Sequence, residues 1–218
     1  MTVGETRLER LARARLYLVT DAGMSEVALD AALRGGVAMV QLRDRSLDDA
    51  ALLAAAERFR KICDRHDTLF WINDRADLAV RAGADGVHVG QDDAPVHHVR
   101  AEVGEDVLIG LSTHTPAQFD AGLASGADQL SVGPVWETPT KPGRAAAGLD
   151  YVRYAAARDP NVAWFAIGGI DADTIPQVVT AGARRVVVVR AVRDAADPSA
   201  AAAGLLDVLE GAPVGAAQ

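Results

Sequence analysis

The sequence predicts a single (β/α)8 barrel, the α/β architecture also called a TIM barrel. Eight short runs rich in β-branched residues alternate with segments of helical periodicity, which predicts a parallel sheet. A glycine also recurs after every second helical segment, which indicates four double βα units. The 218 residues suffice for one such domain. An open, doubly wound sheet is the alternative fold, but it does not readily explain why the glycine recurs four times.

The predicted strands are short and evenly distributed along the chain. They are Leu16–Thr20, Met39–Arg43, Leu69–Asn73, Gly86–Val89, Leu108–Ser112, Gln129–Val132, Ala163–Ile167 and Arg185–Val189. The helices between them are predicted from apolar residues three or four positions apart, as in the segment from Leu47 to Ile62. We expect residues 1–15 to form an N-terminal helical extension, residues 16–210 the catalytic barrel, and residues 211–218 a flexible tail.

The recurring glycines are Gly36, Gly83, Gly126 and Gly182, each placed between a helix and an even-numbered strand. At such a position glycine serves as a left-handed helix C-cap. The longest interval between these glycines contains residues 138–148, so extra residues lie in the loop after strand six. Extra length in a loop favours a functional role over mere connection.

Composition excludes several classes of protein. Half the residues are hydrophobic, which excludes a disordered chain, and the net charge of −8 without a basic stripe gives no support to nucleic-acid binding. Residues 1–15 contain no apolar core of signal-peptide length, and no run of membrane length occurs elsewhere. We therefore expect a cytoplasmic protein with no membrane partner. Cys63 is the only cysteine, and its helical setting predicts an inert, packed thiol.

Polar residues follow the predicted strands at their carboxyl ends, where barrel active sites lie. Asp74 and Asp93 end neighbouring strands three and four, and two hard oxygen ligands suggest Mg²⁺ held together with phosphate oxygens. The same aspartates could instead be N-caps of the following helices, and spacing alone leaves both readings open. His88, between two valines of strand four, is predicted to be a hydrogen-bonded structural residue. His114 is predicted either to line the mouth or to cap the helix after strand five.

Cations and glycines around the same mouth indicate anionic ligands. The stretch from Ser131 to Arg144 runs from a strand into a loop with two prolines, two threonines, Lys141 and Arg144, a combination suited to a phosphate or diphosphate. Arg43 ends strand two and Arg45 follows it, so that with Lys141 three cations surround the mouth. Each alone could be a solvated charge at the rim, but their coincidence with two aspartates favours a metal-bound diphosphate. The Gly168–Gly169 pair after strand seven is placed where many barrels bind phosphate through backbone amides. Two anion sites imply two anionic substrates and hence a transferase.

Six ordered motifs together resemble the thiamine phosphate synthase family. They are Val-Gln41-Leu-Arg43, Ile-Asn73-Asp74, Gly-Val-His-Val-Gly-Gln-Asp-Asp93, Ser112-Thr-His, Gly-Pro-Val-Trp-Glu-Thr-Pro-Thr-Lys141 and Ala-Ile-Gly-Gly169-Ile. The resemblance extends from Leu16 to Arg190. It implies a transferase that joins 4-amino-2-methyl-5-(diphosphooxymethyl)pyrimidine to 4-methyl-5-(2-phosphooxyethyl)thiazole, or to its 2-carboxy form. The implied products are thiamine phosphate and diphosphate, the implied cofactor is Mg²⁺, and the implied mechanism is dissociative.

The resemblance also implies roles for individual residues. The pyrimidine diphosphate would contact Gln41, Arg43, Arg45, Asn73, Ser112 and Lys141, of which Arg43, Ser112 and Lys141 are the implied catalytic residues. The thiazole phosphate would be received by Thr138, Pro139, Thr140, Gly169, Val189 and Arg190. Asp74 and Asp93 would bind the metal.

Two positions depart from the family pattern: Arg45 stands where lysine is common, and Arg190 stands where serine is common. The alternative functions are a thiazole tautomerase of the same barrel family, which would not need Asp74, Asp93 and Lys141 together, and a non-catalytic phosphate-binding regulatory barrel. A homo-oligomer is allowed for, since the sequence does not determine the assembly.

Overall fold

The computed structural model describes residues 3–138, 143 and 145–211. Its eight strands are β1 Leu16–Thr20, β2 Met39–Leu42, β3 Leu69–Asn73, β4 Gly86–Val89, β5 Leu108–Thr113, β6 Gln129–Val132, β7 Ala163–Ile167 and β8 Val186–Val188. The helices are α1 Val3–Arg13, α2 Glu26–Arg34, α3 Asp49–Arg65, α4 Ala76–Arg81, α5 Val96–Val103, α6 Pro116–Leu123, α7 Gly148–Arg158, α8 Ile175–Thr180, α9 Arg190–Arg193 and α10 Pro198–Glu210. The strands form a closed barrel in chain order, which confirms the predicted fold.

Every strand pair is parallel, and β1 pairs with both β2 and β8, so the sheet has no free edge. Small differences from the predicted strands occur at the ends. Arg43 lies just beyond β2, although its amide still donates to the carbonyl of Thr20 at 2.8 Å. Val189 leaves the sheet because its backbone turns to φ −124° and ψ −89° ahead of α9.

Alternate residues of each strand face different cores. Leu16 and Leu18 of β1 pack outward against the helices, whereas Tyr17 and Val19 pack inside the barrel. The interior is filled by aromatic rings, with the centroids of Tyr17 and Phe165 5.8 Å apart in an edge-to-face contact. This alternation follows from the period of two along a strand, and it decides which side chains can reach the barrel interior.

The N-terminal helix closes one end of the barrel. Leu11 of α1 and Ala14, just after the helix, pack into the interior cluster with Leu69 and Leu108 at the starts of their strands. Arg7 of α1 reaches Asp85, with its Nε 2.9 Å from Oδ1. The interior therefore communicates with solvent at the opposite end, where the strands terminate.

The four recurring glycines all have left-handed backbones, with φ of +100°, +60°, +82° and +104° for Gly36, Gly83, Gly126 and Gly182. Gly36, Gly83 and Gly182 directly follow the C-cap residues of their helices, which confirms the predicted role, whereas Gly126 lies two residues beyond the C-cap Ala124 of α6. Within the part of the chain that the structure describes, no helix is long and apolar enough to cross a membrane. Residues 212–218 of the predicted tail lie outside the described part of the chain.

Candidate active site

A cavity of about 330 Å³ opens at the carboxyl ends of the strands. Eight of the residues that the family resemblance assigns to substrate contacts line it: Gln41, Arg43, Asn73, Ser112, Thr138, Gly169, Val189 and Arg190. These residues come from β2, β3 and β5 and from the segments after β6, β7 and β8. The barrel thus brings into one space residues that are far apart in the chain, as expected for the catalytic face of this fold.

Arg43 is the cation at the centre of this arrangement. Its side chain is half-buried, and its Nε is buried without a hydrogen-bond partner among the described residues. Burial, followed by repulsion from Arg45, lowers the pKa of Arg43, while the carboxylates of Asp74 and Asp93 act in the opposite direction. Arg45, Asp74 and Asp93 are thus all close enough to act electrostatically on this one guanidinium. Because the Arg43 side chain lines the cavity, its guanidinium is a donor group suited to an anionic ligand.

Asp74 and Asp93 are not among the residues that line the cavity, although both act electrostatically on Arg43. Asp74 Oδ2 accepts a hydrogen bond from Arg45 Nη2 at 2.6 Å, and Asp93 Oδ2 accepts one from the amide of Gly90 at 2.7 Å. The N-cap alternative is wrong for both. Asp74 has a left-handed backbone, with φ of 62°, and precedes the cap position of α4, while Pro95 occupies the cap position of α5.

The two carboxylates suit a metal that also has substrate ligands. Within the described residues, Oδ1 of Asp74 and Oδ1 of Asp93 have no hydrogen-bond partner. Each carboxylate therefore retains one oxygen that could coordinate a metal. No group of three or more His, Cys, Asp or Glu side chains in residues 3–138, 143 and 145–211 could hold a metal ion. Two hard oxygen donors completed by phosphate oxygens are a ligand set that Mg²⁺ accepts. The donor chemistry of Asp74 and Asp93 is therefore compatible with Mg²⁺, and metal binding stays a prediction.

The turn after β7 forms another part of the cavity wall. Gly168 and Gly169 have φ of +109° and +68°. A Cβ on Gly168 would lie 2.5 Å from Pro134 Cβ, and one on Gly169 would lie 3.0 Å from Trp136 Cβ. The turn therefore requires glycine both for its backbone and for its close approach to the segment after β6. Among the described residues, none accepts a hydrogen bond from the Gly169 amide, so this donor is open to a ligand.

The segment after β8 completes this side of the cavity. Val189 and Arg190 line it, and the exposed Arg190 side chain also lines a neighbouring cavity of about 280 Å³. Arg193, in that second cavity, is held by Asp21, with Nη1 2.7 Å from Oδ2. Arg43 lines both cavities. Arg190 thus extends the positive charge from the mouth toward β1.

The floor of the cavity holds polar side chains that the sequence analysis did not assign to the site. Tyr17 lines the cavity, and its hydroxyl accepts a hydrogen bond from Gln41 Nε2 at 2.5 Å. Burial raises the pKa of Tyr17, so the phenol is neutral. Ser131 also lines the cavity, at 3.2 Å from the buried Gln129 amide. The sequence signal that could have identified these residues is a polar side chain at an inward-facing position of an otherwise apolar strand.

The two histidines of interest both line the cavity. His88 is hydrogen-bonded through both ring nitrogens, as predicted, to Gln129 and Ser112. His114 Nδ1 lies 2.6 Å from the carbonyl oxygen of Gly133. Thr115 caps α6, since its hydroxyl accepts from the amide of Gln118. His114 therefore lines the mouth of the barrel and does not cap the helix after β5, which decides between the two predictions made for it.

The loop after β6 is described only in part. Thr138 is half-buried and lines the cavity. Pro139, Thr140, Lys141 and Arg144 lie outside the described residues. The expectation that Lys141 meets an anion stays a prediction.

Comparison with known proteins agrees with this geometry. The family model for thiamine monophosphate synthase matches residues 16–192. The chain is 54% identical over 207 residues to the thiamine-phosphate synthase of Thermobifida fusca, covering 92% of this chain and 94% of that protein. It is 53% identical over 208 residues to the thiamine-phosphate synthase of Saccharopolyspora erythraea, covering 90% and 93% of the two chains.

Solved structures show the same fold. The thiamine phosphate pyrophosphorylase from Pyrococcus furiosus has a TM-score of 0.83 at 27% identity and covers 94% of this chain and 98% of that one. The 3-hexulose-6-phosphate synthase from Salmonella typhimurium has a TM-score of 0.67 at 19% identity, with coverage of 90% and 98%, and is informative for the fold alone. Since the family model spans nearly the whole barrel and relatives above 50% identity span nearly the whole chain, this protein belongs to the thiamine monophosphate synthase family.

Proposed function

We propose that the protein is a thiamine-phosphate synthase, a transferase that condenses the pyrimidine diphosphate with the thiazole phosphate. The observation that carries the proposal is that one cavity is lined by the half-buried Arg43 side chain and by Gly169, whose amide has no acceptor among the described residues. Two separated anion donors around one space suit two phosphorylated substrates. The 54% identity to a thiamine-phosphate synthase supports the same reaction.

In this proposal the diphosphate lies toward β2 and β3. Arg43 donates to it from a half-buried position, and Arg45 turns from Asp74 to add a second cation. Lys141 would supply a third. Gln41, Asn73 and Ser112, deeper in the cavity wall, contact the pyrimidine. A charge-assisted bond from a partly desolvated guanidinium is stronger than one made in water, which favours the growing charge of a departing diphosphate.

The thiazole phosphate lies toward β7 and β8. The Gly169 amide and the turn at Val189 and Arg190 donate to its phosphate. Thr138, with Pro139 and Thr140, covers it from the loop after β6. The separation of the two anion sites around the barrel axis would hold the thiazole nitrogen against the pyrimidine, which lowers the entropic cost of their encounter.

Asp74 and Asp93 are the proposed Mg²⁺ ligands. When bound, the metal would neutralise charge on the diphosphate oxygens. The carbon–oxygen bond to diphosphate breaks first, and the diphosphate leaves with the bonding electrons. The thiazole nitrogen then donates its lone pair to the pyrimidinylmethyl cation, forming the new carbon–nitrogen bond. No protein nucleophile is required, so the role of the chain is to hold and stabilise charge.

The decisive experiment uses the purified protein with both substrates, with and without Mg²⁺, and follows products by mass spectrometry. We expect thiamine phosphate and diphosphate in equal amounts, dependent on the metal and on both substrates. Incubation with each substrate alone is the control. Binding of the thiazole phosphate without either product would instead support the tautomerase or regulatory alternative. The cytoplasmic location and the assembly of the protein stay predictions.

A further inference from the structure

Four buried polar side chains form a continuous hydrogen-bonded row inside the barrel. Gln129 Nε2 donates to Ser131 Oγ at 3.2 Å, and Gln129 Oε1 lies 3.1 Å from His88 Nδ1. His88 Nε2 lies 2.9 Å from Ser112 Oγ. These four side chains, here called the interior polar chain, are 0 to 7% exposed. Ser112, His88 and Ser131 all line the cavity, and Ser112 is the member of the row that we assign to the pyrimidine.

A glycine in β5 makes the row possible. Gly110 lies between His88 of β4 and Gln129 of β6 in the strand register. A Cβ on Gly110 would lie 2.5 Å from Gln129 Oε1 and would also collide with the His88 ring. Because glycine leaves this space empty, His88 and Gln129 meet across the intervening strand. The contact thus depends on three strands at once.

The row has a direction, because an amide nitrogen only donates and an amide oxygen only accepts. With Gln129 Nε2 bonded to Ser131, its oxygen faces His88, so His88 Nδ1 carries the proton. In the tautomer with the proton on Nδ1, the imidazole carries no proton on Nε2. His88 Nε2 is then an acceptor, and the Ser112 hydroxyl donates to it. The lone pairs of Ser112 remain for the cavity.

We propose that His88 is a positioning residue that holds Ser112 as a hydrogen-bond acceptor, and that Ser112 thereby selects a substrate presenting an N–H donor. This inference rests on the proposed function, in which the donor is the 4-amino group of the pyrimidine diphosphate. The 4-oxo analogue would present an acceptor to the same oxygen. Two facing acceptors leave both groups without a hydrogen bond, which disfavours the analogue.

The direction of the row is measured without any substitution. Long-range proton–nitrogen correlation spectra of the full chain, with ¹⁵N-labelled histidine assigned through the backbone, report which ring nitrogen carries the proton. We expect protonated Nδ1 and bare Nε2 for His88. A proton on Nε2, alone or together with one on Nδ1, would make Ser112 the acceptor of the imidazole and overturn the inference.

Substrate preference is measured with the amino substrate and its 4-oxo analogue. For each protein we define the substrate preference as kcat/KM for the amino compound divided by the association constant of the 4-oxo analogue, which is measured as a competitive inhibitor. We expect this preference to fall about 10-fold or more in Ser112→Ala and in His88→Leu, since one hydrogen bond is lost or reversed. In His88→Leu the freed hydroxyl can turn its proton toward the analogue, so the analogue should bind more tightly than it does to Ser112→Ala.

Thr113→Val is the matched control. Thr113 follows Ser112 in β5 and is equally buried, but its hydroxyl bonds to Tyr151 and to the carbonyl of Ser131, outside the cavity. Its preference should equal that of the wild type. An unchanged preference in both Ser112→Ala and His88→Leu would refute the proposal. If His88→Leu does not fold, the preference of Ser112→Ala and the proton–nitrogen spectrum of the His88 ring still test the proposal.

The outcome is separable from that of the proposed function. Turnover of the wild type to thiamine phosphate tests the function, whereas the ring spectrum tests the direction of the row in the ligand-free protein. Turnover together with a protonated Nε2 would refute this inference alone. Absence of turnover would refute the function while the spectrum still reported the orientation of Ser112.

Discussion

Asp85→Asn should destabilise the barrel through the ion pairs beneath it. The Asp85 side chain is 7% exposed and accepts from Arg7 Nε at 2.9 Å, from Arg60 Nη1 at 2.6 Å and from the Phe70 amide at 2.8 Å. Asparagine keeps one acceptor oxygen, but its NH₂ group would face an arginine donor. In the wild type, the Asp85 carboxylate joins α1, α3 and β3 through these three contacts, and its negative charge offsets the charges of the two arginines.

The magnitude follows from the burial of the partners. Removing one member of a buried ion pair costs about 3–5 kcal/mol. The side chains of Arg7 and Arg60 are 16% and 18% exposed, so water relieves part of that penalty and the lower end, about 3 kcal/mol, is expected. For a domain of this length, about 3 kcal/mol corresponds to a fall in Tm of roughly 6–12 °C.

Equilibrium urea unfolding, followed by far-ultraviolet circular dichroism, measures this change. Asp64→Asn is the matched control because Asp64 also pairs with Arg60, at 2.7 Å, but is 63% exposed. Its loss should cost less than about 1 kcal/mol. Equal destabilisation by the two variants, with unchanged slopes, would show that burial of Asp85 is not the source of the effect.

Three further predictions concern the site and the thiol. Arg43→Gln should lower kcat about 100-fold with the circular dichroism spectrum unchanged, since a donor to the leaving group is lost; a kcat within about 3-fold of the wild type would exclude that role. Gly169→Ala should raise KM for the thiazole phosphate, because alanine is strained at φ +68° and would crowd Trp136; a selective loss for the diphosphate substrate would contradict it. Burial raises the pKa of Cys63 to about 12, so the thiol should resist alkylation at pH 8 until urea unfolds the chain, and rapid reaction of the native protein would contradict the described packing.

The sequence alone was sufficient for the architecture. Strand and helix periods are local properties, so eight alternating units could be located, with errors of one residue at strands such as β2 and β8. The four left-handed glycines were also predictable, because a helix C-cap involves only neighbouring residues. The position of Arg43 and Gly169 at the cavity followed from the rule that barrel sites lie at strand ends.

Contacts between distant strands were not predictable in the same way. Whether Asp74 caps a helix or faces Arg45 depends on a left-handed turn and on a partner 29 residues away. The pairing of His88 with Gln129 requires the register of three strands and the missing side chain of Gly110. A pattern within one strand shows that a polar residue points inward, but it does not show what that residue meets.

The sequence by itself determined the fold class, the end of the barrel that carries the site, and the residues at that end, because each depends on short-range periodicity and on the chain order of strands. Only the tertiary structure decided that α1 is anchored through Arg7 and Asp85, 78 residues apart, and that Ser112 is the end of a buried hydrogen-bonded row. Such contacts form only when closure of the sheet sets the register of all eight strands, which no local segment encodes.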